Sequence, residues 1–422
     1  MNMAGETAHF GLRNWPPAPA IRPFELTPRQ QKLVDMARAG LAEPFRGISG
    51  TGSVAEGVFP SAATGVSLAP LLEAARAFLA SLDTTQRRAA CLAIDDEAWR
   101  QWSNFHPWLM PRNGICLADL SDGQREAALA LLRETMSEAG YRTTRDVMRL
   151  NEHALEITGK PEEYSEWYYW ISIFGTPSPN EPWGWQIDGH HLNVNCFVLG
   201  DQLVTTPILL GSEPVLARFG KYSGLRVFAA EEEQGHALMS ALSAEARQQA
   251  TIGTDLPWEV FAGAYNDNRH IEPGGIRYAD LPQEGRERLE TLLATYIGYV
   301  RPGQAELRWA EAKRHLGDTQ FAWIGPFDDT SPFYYRILSP VILVEFDHQP
   351  GIVFDNDKPS RDHIHTLVRT PNGKDYGKDL LRQHYLQWHT DDHGGHTHSH
   401  TDQSHARSTA EPAGRGAAET PK

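Results

Sequence analysis

EPWGWQIDGHHLNVNCFVLGDQLVTTPILL, residues 181–210, is the stretch on which the fold reading turns. From Trp183 to Leu199 polar and apolar side chains alternate, the period of a strand with unlike faces. Gly200-Asp201 then offers a two-residue turn, and QLVTTPILL resumes the apolar pattern, so a β-hairpin is expected. Reading outward, WYYWISIFG (167–175), FAWIG (321–325), FYYRIL (333–338), PVILVEFDH (340–348) and HIHTLVR (363–369) all have strand character. Their β-branched and aromatic residues suit a pleated, half-buried surface.

Around these strands the period becomes helical. Leu68, Leu71, Leu72, Ala75, Phe78, Leu79 and Leu82 share one face. Ser121 with Gln124 forms a capping-box pattern ahead of Leu129, Leu132 and Met136, and Gly140 is read as the stop of that helix. Further helices are expected over 228–249, with Glu231, Glu232 and Glu233 near an N-terminus, and over 281–297 and 303–316. The expected fold is α+β: a helical N-terminal layer packed on a largely antiparallel sheet, with no internal repeat visible. Residues 1–60 read as an extended arm. Residues 61–388 read as one α+β domain, with a helical half at 61–165 and a mixed sheet half at 166–388. Residues 389–422, with His389, His393, His396, His398, His400 and His405, read as a disordered His-rich tail.

Composition excludes several classes. A net charge of -15 disfavours nucleic acid and anionic membrane as partners, since both require clustered cations. No stretch reaches the apolar length of a membrane span, and no secretory leader is seen. Three cysteines (Cys91, Cys116 and Cys196) lack CxxC spacing, so a reducing cytoplasm is expected and a cysteine metal ribbon is not. HExxH, GxSxG and strand-borne GxGxxG motifs are all missing from the chain.

The chemistry concentrates in histidines. His363 and His365 share one strand face, and Glu345 and Asp347 share a face of the strand before them. Imidazoles and a carboxylate converging from neighbouring strands form the donor set of a two-histidine, one-carboxylate metal site. In a regular strand His190 and His191 point opposite ways, with His191 on the polar face of Asn193 and Asn195. Glu345 or His191 would then complete the set with His363 and His365, and His190 would be a core residue unless Gly189 bulges. Arg369 and Arg336 could orient an anionic substrate group, and His270, in a turn-rich loop, could serve as an acid–base group.

PWGWQIDGHHLNVN, YYWISIFGTPS and SPVILVEFD with HIHTLVRTPNGKDYGKDLLRQHY, together with AARAFLASLDTTQRRAA and WRQWSN, resemble the domain of unknown function 3500 family of bacteria and fungi. The resemblance spans most of residues 60–390 and implies one long unit, with no reaction attached. The expected function therefore rests on the residues: a mononuclear metal-dependent oxidoreductase or oxygenase acting on a small organic, possibly anionic, molecule. Iron is the favoured divalent transition metal, with copper, zinc or manganese as alternatives. A metal-assisted hydrolase and a non-enzymatic metal- or ligand-binding accessory protein are the competing readings. Oligomeric state is left open.

Overall fold

The structure is a computed structural model that describes residues 28–105 and 109–388. The tail histidines and the first part of the arm lie outside the described residues. Eight strands form the body of the sheet: β1 (Tyr169–Gly175), β2 (Trp183–Gly189), β3 (Leu192–Leu199), β4 (Ile208–Ser212), β5 (Gln320–Ile324), β6 (Tyr334–Leu338), β7 (Leu343–Pro350) and β8 (Pro359–Arg369). Their order is β1-β2-β3-β4-β8-β7-β6-β5, and every neighbouring pair is antiparallel. Short strands extend the sheet, including Cys91–Leu92 parallel to β1 and Thr251–Gly253 parallel to β5. The architecture is α+β with a largely antiparallel sheet, as the alternation implied.

The opening stretch folds differently from its first reading. WGWQIDGHHLNVNCFVL is two strands rather than one, because Gly189 pairs with Leu192 and His190-His191 forms the turn between β2 and β3. His191 takes a left-handed φ of 62°, a conformation His adopts more readily than most residues. Alternation continues across the turn, so the pattern alone did not reveal it.

Ten helices are described: α1 (Pro28–Ala42), α2 (Ala69–Ser81), α3 (Thr84–Ala90), α4 (Asp122–Thr135), α5 (Glu138–Thr158), α6 (Ala229–Ser240), α7 (Ala244–Ala250), α8 (Gln283–Ile297), α9 (Gln304–Arg314) and α10 (Lys378–Trp388). The Ser121–Gln124 capping box opens α4, as its sequence indicated. Gly140 does not end that helix. It lies inside α5, which Ser137 caps, and a Cβ there would stand 2.2 Å from the Tyr299 carbonyl oxygen. The glycine therefore permits close backbone approach rather than a stop.

The sheet faces divide cleanly. Ile208, Leu210, Val344, Phe346, Ile364 and Val368 join the helices in the main core. The alternate residues Leu209, Leu343 and Leu367 pack on the opposite face with Trp99, Trp102 and Tyr376. Each such fully buried side chain stabilises the fold by about 1.5–3 kcal/mol. His363 and His365 share parity with Leu367 and so belong to this second face.

An internal repeat is present, contrary to the expectation of none. GICLADL (114–120) and GIRYADL (275–281) occupy the same place in two halves of the chain. Gly114 and Gly275 have φ of 90° and 91°, and a Cβ on either would strike a strand carbonyl, of Ile171 and Phe321 respectively. Arg125 donates to the Leu117 and Ala118 carbonyls, and Arg286 donates to those of Tyr278 and Ala279. The strand registers repeat too: Ile187↔Val194↔Ile208 in one half answers Ile337↔Val344↔Val368 in the other. Ile208 and Val368 pair with each other at the centre, as an approximate twofold axis through β4 and β8 requires.

Candidate metal centre

His191, His363 and His365 converge at the sheet's second face, and all three are buried. His363 Nε2 lies 3.0 Å from His191 Nε2 and 3.0 Å from His365 Nε2. β8 supplies two of the imidazoles from one face, and the β2–β3 turn supplies the third. β4 lies between them, and Gly211 is the residue that makes room. A Cβ on Gly211 would sit 2.7 Å from His365 Cδ2 and 3.2 Å from His191 Cδ2, so only glycine lets the rings meet. Its N–H donates to the His191 carbonyl and pins the turn.

The far sides of the rings fix their tautomers. His363 Nδ1 donates to the Pro350 carbonyl at 2.7 Å, and His365 Nδ1 donates to Glu259 Oε1 at 2.8 Å. A carbonyl or carboxylate only accepts, so each Nδ1 carries the hydrogen and each Nε2 presents a lone pair inward. Two lone pairs held 3.0 Å apart repel unless a cation or proton lies between them. This is how protein imidazoles are prepared for a metal ion, with a carbonyl or carboxylate behind each ring.

Asn104 binds the parts together. Its Oδ1 accepts from the His191 N–H at 3.1 Å, while Nδ2 lies 3.2 Å from both Glu259 Oε2 and His365 Nε2. Burial pulls the Glu259 carboxyl upward, but His365, the Val260 N–H and Asn104 outweigh it and hold it below its usual range. Glu213 stands 3.6 Å from His363 Nδ1. Burial raises its carboxyl to about 7, against N–H groups of Val353, Ile352 and Phe354 that favour the charge. Asp347, opposite His365 across the strand pair, is raised well above the ordinary range by burial and by the charges of Glu259 and Glu345.

The other candidate residues lie elsewhere. His190 stacks behind His191, with ring centroids 3.8 Å apart, and its Nδ1 lies 3.1 Å from Asn151 Oδ1. Glu345 is not among the convergent donors. Both its oxygens are engaged, by the Phe261 and Ala262 N–H groups and the Tyr334 hydroxyl. The donor set is therefore three histidines, rather than two histidines and a carboxylate. Arg369 is fully buried between Asp267 and Asp375 beneath Trp102, and Arg336 donates to the Glu272 carbonyl. His270 pairs with Glu272 at 3.0 Å and lines a separate cavity with Arg46, Gly52 and Arg382.

Glu259, Asn104 and Gly211 were missed by reading the sequence. Asn104 ends the WRQWSN segment, and the strand-interior Gly211 is the signal of close approach.

Fold and site together define an α+β protein whose sheet carries a buried three-histidine cluster able to hold a metal ion. The chain belongs to the family described as protein of unknown function (DUF3500), which matches residues 64–378. No curated protein and no solved structure matches it. Among the described residues no helix is long and apolar enough to cross a membrane.

Proposed function

We propose that the protein is a mononuclear metal-dependent enzyme, with His191, His363 and His365 as ligands and a small organic molecule as substrate. The observation that carries this reading is the pair of inward-facing Nε2 lone pairs 3.0 Å apart, each fixed by an acceptor behind its ring. Imidazole donors suit iron, copper and zinc alike, and iron(II) is the metal of this proposal. Three protein ligands leave open positions, where such an ion would supply Lewis acidity or one-electron chemistry. Glu259 and the Pro350 carbonyl orient the rings, and burial of the cluster limits the substrate to a small one. Oxidoreductase chemistry follows from the favoured metal.

The test is elemental analysis and anaerobic iron(II) titration of the full-length, tag-free protein, beside the double variant His363→Ala/His365→Ala. About one equivalent of metal should distinguish the two, whatever the tail contributes to both. Equal metal content in the two proteins would overturn the reading. Zinc in place of iron, with no oxygen consumed, would turn it to the hydrolase alternative.

A further inference from the structure

The approximate twofold axis gives the metal centre a counterpart in the other half of the sheet. His190-His191 corresponds to the turn Pro340-Val341, between Ser339 and Ile342, which are joined by a backbone hydrogen bond. The β8 segment carrying the histidines corresponds to the chain leading into β4, Leu203–Thr205. A helix side chain meets each turn: Asn151 of α5 meets the His190 imidazole, and Arg308 of α9 donates to the Val341 carbonyl at 2.7 Å. In the second half Val341, Leu203 and Thr205 stand in the places of the imidazoles, and Leu203 and Thr205 line a cavity of about 400 Å³.

The walls of this cavity have a distinct chemistry. Arg308, Arg314 and Lys374 line it against a single carboxylate, Glu311. That one group serves two of the cations, with Arg308 at 2.5 Å and Lys374 at 3.3 Å. Asp379 also acts on Lys374 from beyond the lining. Hydroxyls converge beside them: Thr206 Oγ1 lies 2.7 Å from Thr370 Oγ1, which accepts from Arg308 at 2.8 Å. The segment Phe59–Thr64 closes one side and is held at both ends, by Gln383 on the Phe59 carbonyl and by Asp201 on the Thr64 N–H. In a chain of net charge -15, three cations lining one cavity with a single carboxylate, and open to solvent at Arg314, mark an anion site of small-ligand size.

We propose that this cavity binds a small anion, a carboxylate or a phosphate group, beside the place that corresponds to the metal centre in the other half. Lys374, Arg308 and Arg314 balance its charge.

Calorimetric titration of the full chain with inorganic phosphate and, separately, with succinate tests this. Saturable one-site binding of at least one of them is expected, unchanged in His363→Ala/His365→Ala. The affinity should fall tenfold or more in Lys374→Met. Arg314→Gln, on an exposed position, should weaken it several-fold without disturbing the fold, and circular dichroism checks both variants. Phosphate alone or succinate alone would identify the anion. Binding of neither, or binding indifferent to both substitutions, would overturn the proposal and leave the metal reading untouched.

Discussion

His365 Nδ1 and Glu259 Oε1 lie 2.8 Å apart, joining β8 to the loop after Thr251–Gly253. The carboxylate fixes which nitrogen of the imidazole faces inward and makes that nitrogen a better donor. Glu259→Gln should therefore weaken metal binding about 10- to 100-fold. Competition with a chelator of known affinity measures this. An unchanged affinity would show that the pair is only structural.

Gly211→Ala should abolish metal binding while leaving most of the sheet intact. The added methyl meets His365 Cδ2 at 2.7 Å and the Ile364 carbonyl at 2.9 Å, so the strand pair or the imidazole must move. Overpacking of this kind costs about 1–3 kcal/mol. Metal content and urea denaturation, taken on the same sample, give both values.

Backbone strain at His191 can be separated from its role as a ligand. With φ at 62°, alanine at this position is strained and glycine is not. In metal-free protein, His191→Gly should be more stable than His191→Ala by about 1 kcal/mol, and both should lose the metal. A more stable alanine variant would mean that the turn relaxes out of the left-handed region.

Arg369→Met tests the anchoring of the buried cations. Removing the guanidinium leaves Asp375 buried without a cation and Asp267 with Arg100 alone, which costs about 3–5 kcal/mol. A large drop in unfolding free energy with metal content preserved is the expected result. Loss of substrate affinity without loss of stability would return Arg369 to the role first read from the sequence.

Acidity should act on stability through the helix layer. Burial raises the Glu231 carboxyl to about 7, above its ordinary value of 4.5. A group raised in the folded state contributes stability below its unfolded value and loses it as pH climbs through the folded one. Stability should therefore fall between about pH 5 and 8. Glu231→Gln, which keeps an acceptor for the Tyr299 hydroxyl, should flatten that fall by roughly 1–3 kcal/mol. Denaturation at pH 5 and pH 8 compares the slopes, and equal slopes would exclude Glu231 as a source.

Much of the fold was readable because periodicity is a local property. The strand runs around Trp170, Tyr335, Phe346 and Leu367, the Ser121 cap and the shared face of His363 and His365 all appear where alternation and capping chemistry put them. The duplication escaped notice because few identities survive beyond the GI-x-x-ADL stretches. What those stretches preserve is a glycine φ and an arginine reaching two carbonyls, and neither is visible in letters alone.

By itself the sequence determined the α+β class, the strand that carries two imidazoles on one face, and the absence of cysteine-based metal motifs. Tertiary structure decided the rest. A two-residue turn at His190-His191 preserves alternation, so only strand pairing reveals that His191 is delivered to the cluster and His190 is set behind it. Glu345 and Glu259 are both carboxylates near the histidine strand, yet one is consumed by backbone N–H groups and the other holds His365. Side-chain parity says which face a group occupies. Which donors and acceptors reach it depends on neighbours far away in the chain, and that is settled only when the sheet closes.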